Sequence, residues 1–261
     1  DFGCLGERVG YYGDSLGDHF GVGHIFLAGE APGLFYGYVT QGIVQKEDIT
    51  ENGIKYIKQD GSVGYYQTVN KTTPVAGDVK YVDRNGDGVV DDNDRDIIGN
   101  PNPDFTYGFQ TKVSWKSLSL SASFNGVQGR DILNVGNRYN NTPGTKSNNV
   151  TRKAFQNMWT DENPSNLYPK STFVVQNMVM DRYVEDGSYL RCSDITLSYV
   201  LPAKWTNKIG IKNTSVYASV KNAFVITDYS GYDPEVNSFA FDGLRPGVDM
   251  NSYPTPRSFV F

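Results

Sequence analysis

The chain has 261 residues and a formal net charge of -5, and its 24 Lys and Arg form no dense cluster, so the basic footprint of a nucleic-acid binder is missing. Aromatic residues make up 13% of it, with 18 Tyr and 14 Phe, and 28 Gly and 12 Pro punctuate it, a composition that favours strands and turns over helices. No apolar run reaches the roughly 18 residues of a helical membrane span, but a β-barrel stays open, because alternating strands keep mean hydropathy low.

In chain order, residues 1–27 are glycine-rich and unassigned, with loop and strand both open. Residues 28–104 form an excursion that contains "DRNGDGVVDDND". Oxygen-bearing side chains fall at positions one, three, five, nine and twelve of this loop: Asp83, Asn85, Asp87, Asp91 and Asp94. Gly88 occupies the sixth position, where a chain wrapping a calcium ion must turn sharply, and the backbone carbonyl of Val89 completes the set at the seventh. Val90 is the expected hydrophobic anchor. An Asp/Asn/Gly-rich surface turn has a similar composition, yet five side-chain ligands and a glycine in register favour a structural calcium ion. Asp94 stands where an EF-hand has a longer, bidentate Glu, which implies a weaker or water-completed site. The flanks "GDVKYV" and "RDIIGNPNP" read as strand and turn, closer to a dockerin calcium loop than to a paired EF-hand.

Residues 105–261 carry the clearest strands. In "FTYGFQTKVSW", Phe105, Tyr107, Phe109, Val113 and Trp115 share a face against Thr106, Gly108, Gln110, Lys112 and Ser114. After Lys116-Ser117, Leu118, Leu120, Ala122 and Phe124 alternate with serines and Asn125, which predicts a tight hairpin. Tyr189, Ile195, Leu197, Tyr199 and Leu201 then oppose Asp194, Thr196 and Ser198, and Val216, Ala218 and Val220 oppose Tyr217, Ser219 and Lys221. A soluble sandwich also alternates. The longer runs match the 9–11 residues or so of a bilayer crossing better than the roughly 5–6 of a soluble strand.

Connections alternate in length: short at Lys116-Ser117, long over 127–188, moderate over 202–213, long over 225–256. Barrels of the outer membrane set short periplasmic turns against long outer loops, so 127–188, 225–256 and the Asp83–Asp94 loop are expected outside the cell, a cysteine at Ser147 being the position for surface labelling. Within the first long loop "VTRKAFQNMW" predicts a short helix whose stripe of Val150, Ala154, Phe155, Met158 and Trp159 packs locally.

No catalytic arrangement emerges. His19 and His24 are the only histidines, neither lies beside a nucleophile motif, and both are expected on a loop or strand edge. Cys4 and Cys192 fit no metal or redox spacing. The chain reads as a non-enzyme.

Six segments in order, "GEAPGLFYGYVTQGIVQ" (29–45), "GDVKYVDRNGDGVVDDNDRDIIGNPNPDFTYGF" (77–109), "MWTDENP" (158–164), "VEDGSYLRCSDITLSYVLP" (184–202), "VKNAFVITDYSGYDPEV" (220–236) and "YPTPRSFVF" (253–261), resemble the C-terminal part of a SusC/RagA-type TonB-dependent transporter of the Bacteroidetes. The resemblance implies an all-β fold: antiparallel strands of a large transmembrane β-barrel, only partly supplied here, with long extracellular loops and no plug domain in these residues. It implies import of oligosaccharides or peptides across the outer membrane, a SusD-like surface lipoprotein as partner, and TonB engaged through parts not present. Tyr139, Trp159, Tyr168, Tyr229 and Tyr232 in the long loops then stand to stack on a glycan or to pack the loops. The alternative is a secreted, soluble, calcium-stabilised β-domain for adhesion or glycan binding.

Overall fold

Alternating polarity dictates the register in which a strand can pair, since a slip of one residue turns every side chain to the other face. In the computed structural model, which describes residues 8–12, 23–142, 149–171, 178–207, 210 and 214–261, the runs from Phe105 onward pair in register as one five-stranded antiparallel sheet. Its strands are β1 (Phe105–Trp115), β2 (Leu118–Gln128), β3 (Tyr189–Val200), β4 (Ser215–Thr227) and β5 (Ser258–Val260), and sheet order follows chain order. β1 and β2 pair at every position from Phe105 with Gln128 to Trp115 with Leu118. Between them Lys116 adopts φ 55°, the left-handed geometry that a two-residue turn requires, so the tight hairpin forms as the sequence predicts.

Register builds rows across the sheet. Phe109, Phe124, Cys192 and Phe224 make one; Val113, Leu120, Leu197 and Ala218 another; Trp115, Leu118, Tyr199 and Val216 a third. All lie on one face. The Phe109 and Phe124 rings stack at 4.5 Å between centroids, and Phe224 lies 6.4 Å from Phe124. A soluble β-domain would bury such a face, yet Val113 is 64% and Trp115 68% exposed. The opposite rows are polar, as in Lys112, Ser121, Thr196 and Ser219. Tyr107 covers the gap at Gly126, whose missing Cβ leaves room for the ring.

Two bulges interrupt the ladder at one level. Ser193 is an extra residue of β3 against β2, and β4 answers with an extra residue beside Asn222, which takes φ 52°. A bulge inverts the phase of the strand on its far side. Tyr189 therefore stands opposite Val127 and Thr227 on the polar face with Arg191, a correction to plain alternation, which groups it with Ile195, Leu197 and Tyr199.

The chain divides into two units. The sheet belongs to the one built from Pro103–Asp131, Asp186–Val236 and Ser252–Phe261; the other comprises Asp1–Asn102, Ile132–Glu185 and Asn237–Asn251. The chain first crosses from one unit to the other between Asn102 and Pro103. The long connections, however, do not behave as isolated loops: their middle parts join the unit that holds residues 28–102.

That second unit is a set of short sheets around a tyrosine-rich core. Gly53–Ile57 and Val63–Tyr66 pair antiparallel and alternate buried with exposed, sending Ile54, Tyr56 and Tyr66 inward. Thr40–Ile43 pairs with Val79–Tyr81, and Leu34–Tyr38 with Arg95–Gly99. Phe35, Ile43, Val44, Tyr81, Leu133, Trp159, Met180 and Val248 fill one core, so all three chain segments contribute to it. Buried tyrosine hydroxyls are satisfied: Tyr56 donates to the Asp83 carbonyl at 2.8 Å, and Tyr66 accepts from the Tyr81 amide at 3.2 Å. The short loop helix is Arg152–Asn157, capped by the Thr151 hydroxyl, which accepts from the Ala154 amide. Ala154 is buried as expected and Phe155 is exposed, while Trp159 packs not on its own loop but in the core built largely from residues 35–90.

Cys4, His19 and Ser147 lie outside the described residues, as do most of residues 1–22. His24 does not sit on an edge: it opens the strand His24–Leu27, between Arg8–Tyr12 and Leu34–Tyr38, and is fully buried. Its Nε2 bonds the Pro246 carbonyl at 3.1 Å, its ring packs on Phe35, and burial holds its pKa down at about 4. A depressed folded-state pKa gives stability that is present above the unfolded value and lost as pH falls. Stability of this unit should accordingly drop by about 3 kcal/mol between pH 6.5 and 4, as the unfolded chain takes up a proton that the buried ring refuses. Thermal unfolding across that window checks this, and His24→Phe should flatten the decline.

Candidate functional site

The Asp83–Asp94 loop starts from a fixed point, since the Asp83 carbonyl is held by the buried Tyr56 hydroxyl. The Asp83 carboxylate, itself buried, accepts the amides of Gly86 at 2.6 Å and Gly88 at 2.8 Å. Those bonds require tight reversals of the chain, and both glycines supply them with φ 76° and 85°, conformations costly for any residue with a Cβ. Asn85 Oδ1 accepts from the Asp87 amide, and Asp87 Oδ1 from the Val89 amide. At the far end, Asp94 is fully buried and accepts the amides of Arg84 at 2.8 Å, Asn85 at 3.3 Å and Asp91 at 2.8 Å. Burial raises the Asp94 pKa, opposed by these N–H donors and reinforced by the nearby Asp83 charge.

Two of the six sequence-predicted ligands, Asp83 and Asp94, thus lie inside the loop; Asp91 is half-buried, and Asn85, Asp87 and Val89 are exposed. Among the described residues no three His, Cys, Asp or Glu side chains converge on one point. The loop carboxylates cap backbone amides, and each ionised carboxylate has roughly four acceptor sites, so further lone pairs remain. Every donor is a hard oxygen, which fits calcium or magnesium rather than zinc or copper. Val90 is fully buried, and Val89–Val90 pairs parallel with Thr68–Val69, anchoring the loop to the core. Val79–Tyr81 precedes the loop; a 3-10 turn at Asp92–Asp94 and the strand Arg95–Gly99 come after it, in keeping with strand-and-turn flanks.

A second cluster is not apparent from the sequence. Beyond β4, "DPEV" folds back to the polar face, where Arg191 pairs with Asp233 at 2.5 Å and with Glu235 at 3.2 Å. Glu235 also accepts from the Tyr189 hydroxyl at 2.6 Å and the Asn125 amide at 3.0 Å. Asp233 accepts from the Thr255 amide, which ties in the approach to β5. Alternation gives no signal for it, because Tyr189 and Ile195 share parity in the sequence and the bulge at Ser193 lies between them. Of the loop aromatics, Trp159 is buried and donates to Gln45 Oε1, Tyr229 is buried, Tyr168 half-buried and Tyr232 exposed; the Tyr139 side chain is outside those described.

No protein-family model matches the chain. The TonB-dependent receptor P26 of Formosa agariphila is 34% identical over 194 residues, 71% of this chain and 19% of that protein. The TonB-dependent receptor SusC of Bacteroides thetaiotaomicron is 34% identical over 187 residues, 69% of this chain and 17% of its own. A solved structure of the RagAB peptide transporter superposes with a TM-score of 0.61 at 24% identity, covering 90% of this chain and 22% of that one. The chain belongs to the SusC/RagA-type TonB-dependent receptors. It spans about a fifth of the length of the curated relatives it matches. The five strands are a sector of a SusC/RagA-type barrel, the exposed apolar rows being its outer surface and the polar rows its lumen. Receptors of this family are outer-membrane proteins, and none of these relatives is named as an enzyme.

In that setting the Arg191 cluster fastens a loop to the lumen wall. Removing one partner of a buried ion pair costs about 3–5 kcal/mol. Asp233→Ala should therefore lower the unfolding temperature of the intact receptor in detergent, whereas Tyr232→Ala, at an exposed neighbour, should leave it unchanged.

Proposed function

We propose that this chain is part of the wall and outer loops of a receptor that imports nutrients across the outer membrane, energised through TonB by segments outside these residues. The observation that carries the reading is the sheet whose apolar rows are exposed while its polar rows carry a built hydrogen-bond network, the inverse of a soluble β-domain. The secreted adhesion domain is disfavoured on that ground. Oligosaccharides or peptides are the cargo classes, and a SusD-like lipoprotein is the partner at the outer face; one relative is SusC itself and one structural neighbour is named a peptide transporter. The long connections 127–188 and 225–256, together with the Asp83–Asp94 loop, face the cell exterior in this reading. Its support is the hairpin at Lys116-Ser117, a short turn at the opposite end of β1 and β2. The receptor should be recovered only from detergent-extracted outer membranes together with a lipoprotein. Uptake of its cargo should cease on deletion of TonB; recovery in the soluble fraction defeats the reading.

Calcium in the Asp83–Asp94 loop is part of the same proposal. Asp83, Asn85, Asp87, Asp91, Asp94 and the Val89 carbonyl are its ligands, and two carboxylates buried near each other favour a cation between them. The ion's role is structural: it neutralises those carboxylates and stiffens the approach to Arg95–Gly99. Calorimetric titration of chelator-stripped receptor should give one binding event in this loop, abolished by Asp83→Ala with Asp94→Ala. No heat at millimolar calcium would refute it.

A further inference from the structure

A cavity of about 210 Å³ opens in the second unit between the helix Val135–Asn141, the helix Arg152–Asn157, the 3-10 turn Asp181–Tyr183 and the stretch from Leu167 to Pro169. Its volume is below the roughly 300 Å³ at which pockets for drug-sized molecules begin, so it suits a single sugar or amino-acid residue.

The lining is chemically biased. In a chain of net charge -5 its described lining residues present two cations, Lys153 and Arg182, and no carboxylate. Among the described residues neither cation has a carboxylate partner within salt-bridge distance. Arg182 gives one nitrogen, Nη2, to the Leu167 carbonyl at 2.5 Å, while its Nη1 is shielded from solvent and has no acceptor among the described residues. Buried polar groups are as a rule hydrogen-bonded, so an orphaned guanidinium N–H in a cavity wall calls for an acceptor from outside the chain. A carboxylate matches the guanidinium fork better than any neutral group. Tyr168 and Tyr183 add flat apolar surface, and the Asn137 and Asn141 amides add polar edges. Glu185, which accepts from Asn134 and Asn137, does not line the cavity.

We propose that this cavity is a subsite for a carboxylate carried on a ring- or residue-sized body, the carboxylate bridging Arg182 and Lys153 while the tyrosines pack its apolar side. A uronate sugar and an amino-acid carboxylate share this chemistry. The proposal rests on the import reading only for how such a ligand arrives, and equilibrium binding rather than uptake is therefore the readout. A failure here leaves import standing, and a failure of import leaves the binding result standing.

The test is calorimetric titration of the intact receptor in detergent with glucuronate, N-acetylalanine, glucose and N-acetylalanine amide. Each carboxylate should bind at least tenfold tighter than its neutral counterpart, weaken with added salt, and the stronger of the two identifies the source. Lys153→Gln, at an exposed position on a short helix, and Arg182→Gln should each weaken the preferred carboxylate by about tenfold, the cost of one charged contact. Should Arg182→Gln fail to fold, Lys153→Gln decides alone. Equal affinity for charged and neutral probes, or wild-type affinity in the Lys153 variant, overturns the proposal.

Discussion

In hydrocarbon every backbone N–H and C=O must find a partner within the protein, and a sheet satisfies this only through its neighbours on both sides. The near-continuous ladder from β1 through β4 is that constraint made visible. Pairing spans the full length of four strands of 11 to 13 residues, and register then decides everything set on it. The rows of Phe, Leu and Val face outward together, and the serines, threonines and Asp194 face inward together. Thr196 and Ser219 both donate to the Asp194 carboxylate, so the inner face is a hydrogen-bonded surface rather than a scatter of polar atoms.

The bulges at Ser193 and Asn222 show how that constraint is bent without being broken. Extra residues at one level of β3 and β4 re-phase the ends of both strands. Arg191 and Tyr189 are thereby turned inward, where Asp233 and Glu235 meet them. A wall that alternated without interruption would leave Arg191 on the outer face, where a charge within the bilayer is costly. The loop after β4 is thus fixed by a phase shift several residues away from it.

Much of the sheet was legible because period-two alternation is a local signal: the Phe105–Trp115 and Leu118–Gln128 hairpin can be read from its residues alone. The Asp83–Asp94 loop was legible for the same reason, its donors, glycine and hydrophobic anchor all lying within twelve residues. What alternation missed was non-local. Tyr189 sits across a bulge that no single strand betrays. His24 reads as an edge residue until Pro246, distant in sequence, supplies its acceptor. Trp159 reads as a helical stripe residue until Gln45 takes its indole proton. Loops that look polar and independent contribute Leu133, Trp159 and Val248 to a shared core, and membership of a core is a property of the whole fold.

The threading of that core sets an order of events. Val248 is fully buried among residues as early as Phe35, and Leu133 lies beside it through parallel pairing. The segments that complete this unit are therefore separated by the synthesis of β1 to β4. Contacts of such long sequence separation form slowly. The first hundred residues supply most of this core but not all of it: Leu133 and Trp159 join only after β1 and β2 have been made, and Val248 completes it only after β4.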